Sequence, residues 1–232
     1  MNINQQLEQE DAILKVSYET LLNKQEIIKC LQEIYDFSKE LFDHSVNTAL
    51  LSLMLGMKTD TAFIKQKELY IAGLLHDYGK LLIPKAILEK KDSLTSEERK
   101  IMELHPAAGF LSLKRDTMLS ENVVYAVLDH HEKSDGSGYG SGKVESSISE
   151  YAKIISIVDM YDAMASDRAY RKAISIHTVQ GYLYMSAGRS LDYDLVMQFI
   201  DLLKENPLEE MEGRHRAIIR TMLTVSKYPE NI

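Results

Sequence analysis

The sequence predicts an all-α fold, namely one helical domain that carries a long glycine-rich loop. Apolar residues recur at helical spacing through most of the chain, and no segment shows the strict alternation of a half-buried strand. The 232 residues include four prolines and eleven glycines, too few for a protein built from β-hairpins, and 45% are hydrophobic. These observations favour packed helices over a sheet architecture.

The first half of the chain is predicted to form three helices. Residues 25–55 carry apolar side chains at helical spacing, and Gly56 is expected to end that helix. A second helix is expected over residues 62–76. Pro84 is expected to open a short third helix, because proline is favoured in the first helical turn.

Capping signals place the middle helices. Thr95 and Glu98 form a capping box, which predicts a helix over the turns that follow. Pro106 disfavours α geometry at His105, so this histidine is expected to lie at a joint between helices. Another helix is predicted to begin at Ser120.

The composition of the sequence changes after this helix. Residues 133–149 hold four of the eleven glycines and many serines, which predicts a long loop. Ser147 and Glu150 are expected to form the capping box of the next helix. Two further helices are expected over residues 175–187 and 193–203.

Composition and charge limit the classes of partner. We expect an N-terminal helical extension (1–24), a central domain (25–205) and a C-terminal helical tail (206–232). The net charge is −8, from 27 basic and 35 acidic residues, and would repel a nucleic-acid polymer. No apolar run reaches the roughly 18 residues of a membrane span, and the N-terminus lacks a secretory signal. A cytoplasmic protein that neither binds nucleic-acid polymers nor crosses a membrane is therefore expected.

Histidines and aspartates stand at ligand spacing. His76 and Asp77 end an apolar run, which would carry an imidazole and a bridging carboxylate to the edge of the core. Lys80 lies one turn further and could reach a phosphate oxygen or a leaving group. The alternative for this segment is a partly buried histidine in a helix cap.

Further candidate ligands follow in the second half. His130 and His131 are adjacent, so both can serve one site only if the helix ends there or if they bind neighbouring ions. Asp159 stands on an apolar helix face and needs a partner, either a metal or a buried basic residue. Asp162, three residues later, could accept a hydrogen bond from a metal-bound histidine.

Glu40 and His44 are one helical turn apart, at a spacing that allows two side chains to bind one ion. Taken alone, this pair is also typical of a solvated helix face. The candidate ligands are imidazoles and carboxylates without thiolates, and this donor set favours iron or manganese over zinc.

Five motifs, in order, resemble those of the HD-GYP family of metallophosphohydrolases, which degrade cyclic di-GMP. They are His44-Ser45, HDYGK (76–80), His105-Pro106, HHEKSDGSGYG (130–140) and DMYDAMASDRAYR (159–171). The likeness covers about residues 25–205 and implies an HD-type helical domain with the loop near a metal site. It departs from the family at Gly140, which replaces a proline, and in the segment SGKVESSISE that follows.

The resemblance also implies the roles of individual residues. The implied metal ligands are His44, His76, Asp77, His105, His130, His131 and Asp159, with Glu40 added where a third ion binds. Lys80, Arg168 and Arg171 would bind substrate phosphates.

The expected activity is a phosphodiesterase that uses two or three divalent metal ions and acts on a cyclic dinucleotide, first of all cyclic di-GMP. Ions bridged by Asp77 would generate the attacking hydroxide, and Lys80 would stabilise or protonate the departing 3′ oxygen. Two alternatives are an HD-type hydrolase of another nucleotide and a sensor module without turnover. A homodimer or a protein partner would use the N-terminal helix or the GYG loop.

Overall fold

The prediction of an all-α fold is confirmed. The computed structural model describes residues 3–22, 24–59, 63–167, 172–205 and 208–227, and within these ranges there are twelve α-helices, two short 3-10 helices and no strand. The α-helices are α1 (Ile3–Leu21), α2 (Gln25–Phe37), α3 (Lys39–Lys58), α4 (Phe63–Leu75), α5 (Lys85–Leu88), α6 (Ser96–Met102), α7 (His105–Asp116), α8 (Glu121–Asp129), α9 (Glu150–Ala165), α10 (Ile176–Ser186), α11 (Tyr193–Glu205) and α12 (Leu208–Lys227). None of these helices combines the length and the apolar character that a bilayer span requires.

Helix α3 occupies the centre of the fold. It packs against α1, α2, α4, α9, α11 and α12, and every residue from His44 to Gly56 is buried. A helix that is apolar on every side belongs in the interior, since water has no face to solvate. This position brings His44, in the second turn of α3, next to the helices that carry the other candidate ligands.

The sequence prediction was wrong about the extent of this helix. A break at Ser38 separates α2 from α3, because Ser38 has an extended backbone and its hydroxyl accepts a hydrogen bond from the amide of Leu41. Gly56 does not end the helix but lies inside it. A Cβ at Gly56 would come within 2.7 Å of Leu69, so this glycine permits the close approach of α3 and α4.

Three details of the middle region also differ from expectation. His105 is the first residue of α7, because Pro106 fits the first helical turn, so the expectation that proline excludes α geometry there was wrong. Helix α7 itself was not predicted. The cap of α9 is Ser149 and not Ser147: its hydroxyl accepts from the amide of Ala152.

The other capping predictions are confirmed. Thr95 and Glu98 form a reciprocal capping box at the start of α6, Ser120 is the N-cap of α8, and the residue after Pro84 begins α5.

The first and last described helices join the same core. The hydroxyl of Tyr70 on α4 lies 2.8 Å from Nε2 of His215 on α12, and the side chain of Ser17 on α1 also hydrogen-bonds Tyr70. The division of the chain into segments at residues 24 and 205 stays a prediction.

Candidate metal centre

Five places in the fold contribute the side chains of the candidate centre. His44 comes from the second turn of α3 and Asp159 from α9, whereas the other candidate ligands lie where helices start or stop. His76 and Asp77 follow the end of α4, His105 begins α7, and His130 and His131 follow the end of α8. Except for Asp159 and His131, whose side chains are 15% and 20% exposed, these side chains are buried.

Three imidazoles are oriented by their own helical turn. In each of them Nδ1 lies within hydrogen-bond distance of the carbonyl oxygen three residues earlier: His76 with Gly73 at 2.8 Å, His105 with Met102 at 2.9 Å, and His130 with Val127 at 2.7 Å. A carbonyl oxygen can only accept, so Nδ1 must carry the proton. In the neutral ring, Nε2 is then left with a free lone pair, the form that binds a metal ion.

His44 is oriented from farther away. Its Nδ1 lies 2.6 Å from Oδ2 of Asp162, whose other oxygen accepts from the amide of Asn47 at 2.9 Å and from Ser166 at 3.0 Å. Arg216 on α12 in turn donates to the side-chain oxygen of Asn47 at 2.6 Å. The predicted role of Asp162 as an acceptor for a candidate ligand histidine is therefore confirmed.

The carboxylate of Asp77 is surrounded by the Nε2 atoms of the four histidines just described, namely His44, His76, His105 and His130. Oδ2 lies 3.4 Å from Nε2 of His76 and 3.5 Å from Nε2 of His44. Oδ1 lies 3.2 Å from Nε2 of His105 and 3.9 Å from Nε2 of His130. Each oxygen of one carboxylate thus faces its own pair of histidines.

Two groups of ligand atoms result, and Asp77 belongs to both. One group contains Asp77, His105, His130 and His131, and the other contains His44, His76 and Asp77. The ligand atoms within each group lie within 4.8 Å of one another. This is the arrangement of a carboxylate that bridges two cations.

Several of these buried atoms are acceptors that lack a donor, as expected for atoms that bind cations. Nε2 of His76 and Oδ1 of Asp77 are buried without a hydrogen-bond partner, although His105 is near. The Nε2 atoms of His105 and His130 face each other at 3.3 Å, and both rings use their protons elsewhere. Buried acceptors that face one another are costly unless a positive charge lies between them, so these residues fit divalent metal ions.

Electrostatics keeps most of the ligands in their binding forms. Burial, reinforced by the neighbouring histidines, lowers the pKa of His130 well below its usual value, and burial lowers the pKa of His131 to about 3. Burial opposes ionisation of Asp77, but Lys80 and His76 outweigh it and hold the pKa of Asp77 well below its usual range. The imidazoles of His130 and His131 are therefore neutral and Asp77 is ionised near neutral pH, as metal binding requires.

His44 and Asp159 form a coupled pair in the absence of a cation. Nε2 of His44 lies 3.1 Å from Oδ1 of Asp159. Burial would lower the pKa of His44, but its hydrogen bonds to Asp159 and Asp162 raise it to about 9. The same contact holds the pKa of Asp159 well below its usual range despite burial. A cation bound here would take the place of the proton on His44.

A cleft of about 690 Å³ opens over the centre. Its lining includes Lys80, Glu40, His105, His131, Tyr139 and Asp159. Nζ of Lys80 lies 2.5 Å from Oδ2 of Asp77. Pockets of this size accommodate small organic ligands, so the ligand cluster forms the floor of a site that a nucleotide-sized molecule can enter.

The remaining candidates have different outcomes. Glu40 lies in the first turn of α3 at the edge of the cleft, outside the two groups of close ligand atoms, and its role as a ligand stays a prediction. Arg168 and Arg171 lie outside the described residues. The loop predicted over residues 133–149 is present, with a short 3-10 turn, and its Tyr139 lines the cleft.

Sequence reasoning missed several residues around the centre. Asn47 lies one turn after His44 on the same helix, and that spacing could have indicated it. Arg216 gave no signal, because its contact with Asn47 joins positions 169 residues apart. The ring of Tyr139 lies 4.6 Å from that of His131, between centroids, and only the loop conformation reveals this contact.

The sequence is similar to curated bacterial phosphodiesterases. It is 33% identical over 166 residues to a cyclic di-GMP phosphodiesterase of Borreliella burgdorferi, covering 72% of this chain and 44% of that protein. It is 35% identical over 147 residues to a cyclic di-GMP phosphodiesterase response regulator of Xanthomonas campestris, covering 61% of this chain and 39% of that protein. The chain thus spans less than half the length of these relatives.

The fold is similar to that of a solved HDG"Y"P protein from Bdellovibrio bacteriovorus. The TM-score is 0.61 at 21% sequence identity, over 88% of this chain and 65% of that one. Together with the two sequence relatives, this likeness confirms the resemblance to HD-GYP proteins. The sequence also matches the family described as HD domain over residues 17–195, which is most of its length. The chain therefore belongs to the HD domain family.

Proposed function

We propose that this protein is a metal-dependent phosphodiesterase that hydrolyses a cyclic dinucleotide, with cyclic di-GMP as the favoured substrate. The observation that carries the proposal is the position of Asp77, which is shared by two ligand groups on the floor of an open cleft. The names of the two sequence relatives support cyclic di-GMP as the substrate.

The proposed ligands are Asp77, the histidine side chains that converge on it, and residues at the rim of the cleft. They are His44, His76, Asp77, His105, His130, His131 and Asp159, with Glu40 for a third ion. We propose two or three divalent ions, with iron or manganese favoured over zinc, because no thiolate belongs to the ligand groups in the described residues. Bound ions of this kind act as Lewis acids and lower the pKa of water.

Lys80 has proposed roles in both substrate binding and the reaction. Its side chain is 21% exposed and lines the cleft, while its ammonium group lies against Asp77. This position presents to a phosphate that enters the cleft a positive charge and the N–H donors that do not bond Asp77. We propose that Lys80 binds the substrate phosphate and stabilises or protonates the departing 3′ oxygen.

Arg168 and Arg171 are proposed to bind the substrate phosphates from the segment that follows α9. Replacing both with alanine should leave metal content and melting temperature nearly unchanged. Dinucleotide binding should weaken roughly tenfold or more, because a hydrogen bond to a charged group contributes about 1.5 to 3 kcal/mol. Calorimetry on the metal-loaded double variant checks this, and parental affinity for cyclic di-GMP would contradict it.

The experiment that tests the proposed function is anaerobic purification and metal analysis, followed by incubation with cyclic and linear dinucleotides. The expected result is hydrolysis of cyclic di-GMP to a linear product by protein that carries at least two ions. Hydrolysis of a different nucleotide would change the substrate. Tight binding of a cyclic dinucleotide without product would indicate a sensor module.

Two further properties stay predictions. A cytoplasmic location can be checked by fractionation of the native host cells. A homodimer or a protein partner that uses the N-terminal helix or the GYG loop can be checked by light scattering at several protein concentrations.

A further inference from the structure

The glycine-rich loop lies directly on the end of α8. A Cβ at Gly138 would come within 2.4 Å of the carbonyl oxygen of His131, and one at Gly140 would come within 2.4 Å of the carbonyl oxygen of Leu128. The loop therefore reaches its position only because both residues that flank Tyr139 lack side chains. Gly140 also has a φ of +131°, a conformation that L side chains rarely adopt.

A buried carboxylate at the end of α8 holds the far side of this loop. Asp129 is fully buried, with its Oδ1 accepting from the hydroxyl of Ser141 at 2.6 Å and its Oδ2 paired with Nζ of Lys143 at 2.6 Å. The ammonium group of Lys143 also lies 5.3 Å from the ring centroid of Tyr125 on the same helix. A buried charge requires such partners, so the ion pair fixes where Lys143 can be.

A second buried carboxylate, Glu132, holds the loop through its backbone. Its Oε1 accepts from the amides of Ser141 and Gly142 at 2.5 and 2.6 Å, and the hydroxyl of Ser141 adds a contact at 3.3 Å. Asp129 and Glu132 stand on either side of His130 and His131. The same four residues of chain thus supply two candidate metal ligands and two anchors for the loop.

The anchored loop places Tyr139 at the cleft. The amide of Tyr139 donates to the carbonyl of His131 at 3.2 Å. Its ring lies 4.6 Å from the ring of His131 and 6.4 Å from that of His105, between centroids. Tyr139 thereby forms one wall of the cleft above the candidate metal centre.

Building on the proposed function, we propose that Asp129 and Glu132 are positioning residues for the substrate. Through Lys143 and the backbone of Ser141 and Gly142, they hold the loop so that Tyr139 stays against His131 and walls the cleft. Ser141, Gly142 and Lys143 belong to the segment in which the chain departs from the HD-GYP pattern.

The test compares Lys143→Met, Lys143→Arg and the double variant Asp129→Asn/Lys143→Met in the full chain. Lys143→Met leaves the buried carboxylate of Asp129 without its partner, which could prevent folding. The double variant removes that carboxylate charge as well, so it tests loss of the ion pair without a buried unpaired charge. Lys143→Arg keeps the pair. Lys58→Met is the matched control, because Lys58 also pairs with a carboxylate and its side chain is 27% exposed, against 29% for Lys143.

The first measurement is hydrogen exchange of the loop amides, followed by mass spectrometry on metal-loaded protein. Exchange in the peptide containing Ser141 and Gly142 should accelerate roughly tenfold or more in Lys143→Met and in the double variant, because the loop then opens locally. Lys143→Arg and Lys58→Met should exchange like the parent. Parental exchange in Lys143→Met would overturn the anchoring role.

The second measurement compares two substrates, cyclic di-GMP and bis(p-nitrophenyl) phosphate, at parental metal content. Lys143→Met and the double variant should raise KM for the dinucleotide at least about fivefold with little change in kcat. The reason is that loss of the ion pair makes Tyr139 mobile at the cleft but leaves the reacting groups in place. The small diester should be unaffected. Tyr139→Ala should reproduce the KM effect without accelerating exchange at residues 141–142.

The outcomes separate this inference from the proposed function. Unchanged KM in Lys143→Met and the double variant, or loss of metal from them, would overturn the positioning role. If the parent neither binds nor hydrolyses cyclic dinucleotides, the proposed function and the role of Tyr139 at the cleft both fail. The exchange measurement still decides in that case whether the ion pair of Asp129 and Lys143 anchors the loop.

Discussion

At the scale of single residues, the centre depends most on Asp77. This buried carboxylate is the one group that belongs to both sets of ligand atoms among the described residues. Each of its oxygens faces two imidazoles whose protons are committed elsewhere. Loss of this side chain should therefore affect both ions together.

Asp77→Ala should remove nearly all bound metal, because each remaining set of imidazoles loses its only shared anion. Elemental analysis after anaerobic reconstitution checks this, with the exposed Asp194→Ala on α11 as a control that keeps parental metal content. A variant at position 77 that retains two ions per chain would show that this carboxylate is not the bridge.

Glu40→Gln should have a narrower effect. If Glu40 holds a third ion, the metal count should fall by about one, while the pair of ions at Asp77 remains. Glu89→Gln is the matched control, since Glu89 is also exposed and lines the same cleft. An unchanged metal count in Glu40→Gln would assign this residue to a solvated helix face.

At the scale of elements, local signals predicted best what local structure decides. The capping box of Thr95 and Glu98 was predictable because its two partners lie within one turn, and the start of α8 was predictable because Ser120 directly precedes the helix. Gly56 was misassigned because only the neighbouring helix shows that it serves close packing. The spacing of His76 and Asp77 indicated a site, but the orientation of His44 depends on Asp162, 118 residues away, and on α12.

The glycine-rich loop yields a prediction about restoring the proline of the HD-GYP pattern. Gly140→Pro should disorder the loop and raise KM for the substrate, because proline cannot adopt the observed φ of +131°. Gly142→Ala is a useful comparison: Gly142 also has a positive φ, but no atom would meet its Cβ. A Gly140→Pro variant with parental exchange at residues 141–142 would refute the loop conformation.

At the scale of the whole molecule, α1, α4 and α12 are joined by a buried polar contact that lies apart from the centre. Burial, reinforced by the adjacent Arg216, lowers the pKa of His215 from 6.5 to about 3. His215 is therefore neutral in the folded protein but protonates in the unfolded chain as the pH falls below about 6.5. Its contribution to stability is complete above this pH and is lost progressively between pH 6.5 and 3.

His215→Gln should accordingly reduce the acid sensitivity of the fold. Between pH 6.5 and 4, the free energy of unfolding of the parent should fall more steeply than that of the variant, by up to about 1.4 kcal/mol per pH unit. Urea unfolding at matched metal content measures the difference, and the exposed His177→Gln serves as control. A difference between parent and His215→Gln that is independent of pH would contradict the assignment.

The orientation of the four imidazoles also has a consequence for long-range communication. His76, His105 and His130 are each held by the carbonyl three residues earlier in the chain. His44 alone is held through a relay that runs from Asp162 through Asn47 to Arg216. An event that displaces α12 would therefore reach the floor of the cleft through His44.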